Sequence, residues 1–332
     1  MKAFEYAGPS TVEEAIKSLS GAKSAVALSG GTDLLSRMKD YVVSPDRVVY
    51  LKGITTPKDF AGSSMRDGDK AAFSLGAGMT LASLVSNKFF AGQLPALHQA
   101  ALEVGTPQIR NMATVGGNLL QRPRCWYFRS GFGLLGKKDG KSLVRAGDNR
   151  YHSIFMTEGD ALFAHPSSLS IPLVALGAKA KIVGPKGERT IPVEDLYQIP
   201  KRDDDRELTI APNEVLTEVV IPFREGGRNV SYEARQKRAH DWPLVLASVA
   251  LDADGDIRIV IGGVAPIPYR AKAAEAAIKG KAITMETAEA AAKAAVEGAK
   301  PLSMNGYKVA LTRTVVKRAL LAIAGNRYWE EG

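Results

Sequence analysis

Val26-Ala27-Leu28-Ser29-Gly30-Gly31-Thr32-Asp33-Leu34 decides how the first part of this chain is read. An apolar run stops at two glycines and an amphipathic stretch resumes at Leu34, the pattern of a strand, a tight turn and a helix. The start of such a helix presents unpaired peptide N–H groups and the positive end of its dipole, and glycine admits a phosphate where a Cβ would block it. The same residues also make an ordinary strand-to-helix turn, with Thr32 or Asp33 as N-cap. The spacing is not GxGxxG, so no Rossmann site is implied.

Working outward, Ser10-Thr11 followed by Glu13-Glu14 reads as a capping box that opens an amphipathic helix through Leu19. Strand Ala25 to Leu28, helix Leu34 to Lys39 and the β-branched run Arg47 to Leu51 then predict a small βαβ unit over residues 1–56. From Ala72 onward a strand near Phe73–Gly76 and helices at Leu81–Val85 and Pro95–Val104 precede a second glycine turn. That turn is Gly116-Gly117, bracketed by Thr114 and Asn118. A dinucleotide is long enough to use both turns, one pyrophosphate lying between them with Thr32, Thr114 and Asn118 donating hydrogen bonds.

Residues Arg122 to Arg150 show no sustained period and predict a long excursion of undetermined shape. Strands at Ala178–Val183 and Glu214–Pro222 predict antiparallel sheet, so that 57–225 forms a second unit. After a charged Gly-Gly boundary at Arg224–Arg228, Val245–Leu251 and Ile257–Val264 flank the turn Asp252–Asp256 as a hairpin. The acidic turn lacks the twelfth-position carboxylate of a calcium loop. Helices over Met285–Val296 and Ser303–Ala324, broken at Gly306, complete an α+β unit over 228–332.

Composition narrows the class. The 332 residues are long enough for two or three cores. No segment approaches the roughly 20 apolar residues a bilayer span needs, and no leader is apparent, so the expectation is no membrane contact. One cysteine, Cys125, and four scattered histidines predict neither a disulfide nor a metal site, and suit a reducing, cytoplasmic setting. The net charge of +9 comes as dispersed pairs such as Lys137-Lys138 and Lys237-Arg238, without a nucleic-acid recognition motif. Nucleic acid is therefore not an expected partner, while an anionic cofactor or acidic partner surface suits the charge.

SGGTDLL and IRNMATVGGNLLQR resemble the two flavin-binding motifs of the FAD subunit of molybdenum hydroxylases, the family of xanthine dehydrogenase, carbon monoxide dehydrogenase and aldehyde oxidoreductase. HPSSLSIPLVALGAKAKI, APNEVLTEVVIPF and DWPLVLASVAL resemble its later segments in order, so nearly the whole chain is covered. The resemblance implies a PCMH-type FAD-binding fold, α+β in class, of two α/β subdomains plus a C-terminal α+β domain. It implies FAD as cofactor, and a hetero-oligomer with an iron–sulfur small subunit and a molybdopterin large subunit. Carried over by position, it implies cofactor contacts at Leu28, Ser29, Gly30, Gly31, Thr32, Asp33 and Leu34, then at Thr114, Gly116, Gly117 and Asn118, with Val104, Thr106 and Leu216 nearby. It implies no catalytic side chain and no metal ligand on this chain.

Three departures stand out. QRPRCWYFRSGF resembles the branch with 4-hydroxybenzoyl-CoA reductase and periplasmic aldehyde oxidoreductase, whose flavin subunit holds an extra 4Fe–4S cluster on four cysteines. Here only Cys125 is present, and the other positions fall near Leu134, Leu143 and Leu162, which supply no thiolate, so no cluster is expected. Ser130 and Ser168 stand where relatives carry aspartate. Lys237 or Arg238 occupies the region from which a basic residue reaches the flavin in relatives, and a solvated pair is the plainer reading. His165 reads as structural. The implied function is electron transfer, taking electrons from 2Fe–2S clusters of a partner and passing them to NAD+, a protein or dioxygen. The competing readings are a free-standing flavin dehydrogenase and an FAD-free scaffold.

Overall fold

The structure is a computed structural model and describes residues 1–66, 71–237 and 240–330. Glu5–Ala7, Arg47–Tyr50 and Ala25–Leu28 form a three-stranded parallel sheet with Arg47–Tyr50 in the middle. Helix Val12–Ser20 begins as its sequence predicts: Thr11 Oγ1 accepts from the Glu14 N–H at 3.1 Å, and Glu14 accepts from the Ser10 N–H at 2.8 Å. It buries Val12, Ala15, Ile16 and Leu19, one stripe of the helix, against the sheet. Helix Leu34–Lys39 crosses back after the glycine turn.

The second sheet is antiparallel and five-stranded, in the order Ser63–Arg66, Ala72–Gly76, Val215–Pro222, Lys179–Gly184, Gly187–Pro192. The third, also antiparallel, runs Arg228–Arg235, Pro243–Leu251, Ile257–Gly262, Tyr269–Arg270. Helices Lys272–Ile278, Met285–Ala294 and Tyr307–Ile323 bury an alanine- and valine-rich face with this sheet. A single apolar core joins the first two sheets and reaches Leu246, Ala250 and Val260 of the third. Helix Ser170–Ala175 is buried at that junction, where Gly262 leaves room for Ile171. The acidic turn Asp252–Asp256 closes the expected hairpin, with Asp252 N–H donating to the Asp256 carbonyl at 2.9 Å.

One expectation changes, and one undetermined segment takes a shape. Gly116-Gly117 is not a turn but part of a short helix, Val115–Leu119, started by Thr114, whose side chain accepts from the Gly117 N–H. The cap offsets part of the glycines' poor helix propensity, and the Val115 and Gly116 N–H groups are further satisfied by the Met79 and Ala77 carbonyls. The 122–150 excursion is ordered, with short helices Trp126–Arg129 and Leu143–Ala146 and a two-residue hairpin, Lys137–Lys138 with Lys141–Ser142.

Candidate functional site

The two glycine motifs touch. A Cβ at Gly30 would land on the Met112 carbonyl oxygen, so only glycine lets the first motif lie this close to the second. Beside it, Ser29 Oγ and Thr114 Oγ1 share a hydrogen bond of 2.8 Å. Gly31 follows at φ +75°, the left-handed region glycine enters without penalty. On the other flank Gly116 lies against Ala77, where a Cβ would come within 2.9 Å of the alanine methyl.

The motifs do different work. Among the described residues, the peptide N–H groups of Gly30, Gly31, Thr32 and Asp33 and the hydroxyl of Thr32 have no hydrogen-bond partner. Four consecutive donors left open at a helix start form an anion cradle. The second motif has no such surplus: Gly116 N–H donates to Ala77, Gly117 N–H to Thr114 Oγ1 and Asn118 N–H to the Thr114 carbonyl. What it offers is the Asn118 side chain, whose Oδ1 accepts from Ser167 and from Leu169 N–H, so that Nδ2 is its open donor. The open amides therefore lie on the first motif, with the second motif as its packing partner.

Asp33 does not cap its helix through its side chain. Its carboxylate instead gathers Arg37 at 3.2 Å, Arg124 at 3.1 Å, Arg129 at 2.6 Å and the Arg122 N–H at 3.2 Å. Burial opposes its charge, but the Arg124, Arg37 and Arg129 guanidiniums outweigh that and hold the carboxyl below the usual range. This cluster fastens the first glycine turn to the 122–150 excursion. Arg122 itself is paired with Glu207. Arg124 is pushed down to about 10 by burial and lies 4.7 Å over the Trp242 ring.

A cleft of about 370 Å3 opens over both motifs, within the usual range for ligand sites. Of the residues expected from sequence, Ser29, Gly30, Gly31, Thr32, Asp33, Leu34, Val104, Thr114, Gly116, Gly117, Asn118 and Leu216 line it. Leu28 does not line it. It packs with the Leu34, Met38 and Val48 cluster under the turn, its Cδ1 beside Gly31. Thr106 caps helix Pro107–Met112 by accepting from Ile109 N–H at 3.2 Å and also stands outside the lining. Arg37, Arg124 and Trp242 line the cleft and were not anticipated. Arg37 carried one local signal, its position four residues after Asp33 on one helix face; Arg124 and Trp242 carried none.

A second, mostly apolar cavity of about 230 Å3 adjoins the first, sharing Arg124, Ser168, Asp241, Trp242 and Pro243. Ser168 therefore stands at the junction, whereas Ser130 is the exposed C-cap of a helix and lines neither cavity. Cys125 lies in the second cavity, its Sγ 3.1 Å from His152 Nε2, and burial raises its thiol above the usual range. Leu134 packs into the apolar cluster that Cys125 joins. His165 is buried, bonded to Ser170 Oγ at 2.9 Å and pushed down to about 3 by burial. Lys237 is exposed, and Arg238 lies outside the described residues. Among the described residues no group of three or more His, Cys, Asp or Glu is placed to hold a metal, and no helix is long and apolar enough to cross a membrane.

Residues 2–224 match the family model described as FAD binding domain in molybdopterin dehydrogenase. The chain belongs to this family. Residues 230–323 match the CO dehydrogenase flavoprotein C-terminal domain, which completes the domain pair. Similar proteins include the aldehyde oxidoreductase FAD-binding subunit PaoB of Escherichia coli, 28% identical over 96% of this chain and 98% of that one. The carbon monoxide dehydrogenase medium chain of Hydrogenophaga pseudoflava is 27% identical over 96% of both. A solved structure of carbon monoxide dehydrogenase from that organism superposes with a TM-score of 0.74, at 27% identity over 98% of each chain. The FAD-binding assignment fits the residues present, because a dinucleotide's diphosphate suits four open amides at a helix start where a Cβ cannot intrude.

Proposed function

We propose that this chain is the electron-transfer flavoprotein of a molybdopterin-dependent hydroxylase or dehydrogenase complex, with FAD bound in the larger cleft. The row of open donors from Gly30 to Asp33 carries the reading, since it matches the anionic part of the cofactor and no other group among the described residues uses it. FAD supplies the capacity to accept electrons singly and release them in pairs. The chain's own work is to bind, orient and tune. Ser29, Thr114 and Gly30 hold the two motifs together, Asp33 anchors the cradle, and Asn118 Nδ2 gives a directional hydrogen-bond donor. Val104 and Leu216 provide apolar wall.

The partners in this proposal are an iron–sulfur subunit that delivers electrons and a molybdopterin subunit where substrate is oxidised. The relatives support it, being medium chains and FAD-binding subunits by name. The final acceptor is NAD+, a protein or dioxygen. The units in this proposal are 1–56, 57–225 and 228–332, each containing one of the three larger sheets. The test is stepwise reduction of the purified complex under anaerobic conditions. Bleaching of flavin absorbance as the iron–sulfur clusters are reduced is expected; clusters that reduce fully while bound flavin stays oxidised would refute the electron-transfer role.

A further inference from the structure

The charge around the cradle does not balance. Arg37, Arg124 and Arg129 all contact the single carboxylate of Asp33, while Arg122 is matched by Glu207. Three guanidiniums around one carboxylate leave two positive charges without a counterion among the described residues. Clustering like charges in a partly buried site costs energy unless an anion completes the set. The diphosphate of a dinucleotide carries two negative charges, and Arg37 and Arg124 line the same cleft as the open amides.

Arg124 is the best placed of the three. Its Nη1 is 3.1 Å from Asp33 Oδ1 and its Nη2 donates to Gln121 Oε1 at 3.2 Å. Its Nε is buried without a partner among the described residues, an orphan donor of a kind folded proteins seldom leave. The guanidinium plane rests on Trp242, from the strand end of the C-terminal domain, so its position is fixed from two sides. Arg129, by contrast, spends its Nε on the Pro123 carbonyl and its Nη2 on Asp33 and the Arg122 carbonyl, and lies outside the cleft lining.

We propose that Arg124, held between Asp33 and Trp242, is a cofactor-binding residue that with Arg37 supplies the positive charge balancing the diphosphate on the Gly30–Asp33 amides. The assignment rests on the flavin reading above. It adds a charged contact from the excursion, braced by the C-terminal domain, to a site whose two sequence motifs offer open amides, the Thr32 hydroxyl and an asparagine. Cofactor binding thereby depends on the docking of Trp242, which couples occupancy of the cleft to the seating of the third sheet.

The test uses the full chain stripped of flavin and titrated by fluorescence with FAD and, separately, with riboflavin, which lacks phosphate. Losing one charge-assisted contact predicts that Arg124→Gln weakens FAD by about 10- to 100-fold at low salt. The loss shrinks as ionic strength rises, because a partly exposed charge is screened. Riboflavin binding stays within about twofold, since the uncharged ligand presents no diphosphate for the guanidinium to match. Arg124→Lys, which keeps charge but not the planar fork, falls between wild type and Arg124→Gln. Arg37→Gln carries the same test should Arg124→Gln fail to fold. Equal loss of riboflavin and FAD, or FAD binding by both Gln variants within twofold of wild type, overturns the proposal. Failure of the wild-type chain to bind FAD at all would refute the flavin reading instead.

Discussion

Replacing Gly30 with alanine tests the contact between the motifs. The new methyl would lie 2.0 Å from the Met112 carbonyl oxygen, and that carbonyl cannot swing away cheaply. The following residue is fixed on both sides, Ala113 N–H donating to Ile109 at 2.8 Å and Ala113 carbonyl accepting from Leu81 N–H at 2.9 Å. The motifs must separate, which breaks the 2.8 Å Ser29–Thr114 bond, a loss of about 1 kcal/mol. Overpacking a rigid site adds about 1–3 kcal/mol, so the expected destabilisation is about 2–4 kcal/mol. In a chain of this size that lowers the melting temperature by roughly 3–6 °C. FAD affinity should fall more than about tenfold, because misplaced amides lose charge-assisted bonds. Gly140→Ala is the control: its φ is +75° but nothing lies near its Cβ, so a modest stability loss with unchanged FAD affinity is expected. Thermal unfolding and FAD titration of both variants decide the matter. A Gly30→Ala chain that melts within a degree of wild type and binds FAD equally well would refute the argument.

Three further outcomes follow from the same geometry. Asp33→Asn should destabilise the chain by about 3 kcal/mol at neutral pH by leaving three guanidiniums without their carboxylate. Because the folded carboxyl sits below its ordinary value, its contribution is present above about pH 4 and disappears as acid protonates it, so acid melts of wild type and variant should converge. Thr114→Val removes the cap on Gly117 and the bond to Ser29, costing about 1–2 kcal/mol in denaturant unfolding. Glu233 is pushed up to about 7, burial outweighing Arg235, and its Oε2 has no partner. The folded chain holds that proton between about pH 4.5 and 7 where the unfolded chain does not, so stability falls as pH rises through this window. Glu233→Gln should flatten that slope, and an unchanged slope would contradict the assignment.

Local chemistry was legible in the sequence and long-range chemistry was not. The Ser10-Thr11-Glu14 cap, the Ala25–Leu28 strand and the Gly30-Gly31 turn depend on neighbours within four residues, and the structure has them where the residues imply. The strand Glu5–Ala7 is three largely exposed residues whose pairing comes from Arg47–Tyr50, so it leaves no periodic signal. Gly116-Gly117 reads as a turn by propensity and became helix through a cap. Leu28 and Thr106 sit in or beside motif positions yet serve the turn from below and the start of a helix. Arg124 and Trp242 are far apart in the chain and meet only because the excursion folds back onto the third sheet. Ion pairs and ring contacts of that separation are set by topology, which no local pattern encodes.

The amide cradle itself is tested most directly by solving the structure of the chain with FAD bound. The account predicts diphosphate oxygens within about 2.7–3.2 Å of several of the Gly30, Gly31, Thr32 and Asp33 nitrogens. A diphosphate seated elsewhere, with those four amides facing only water, would contradict it.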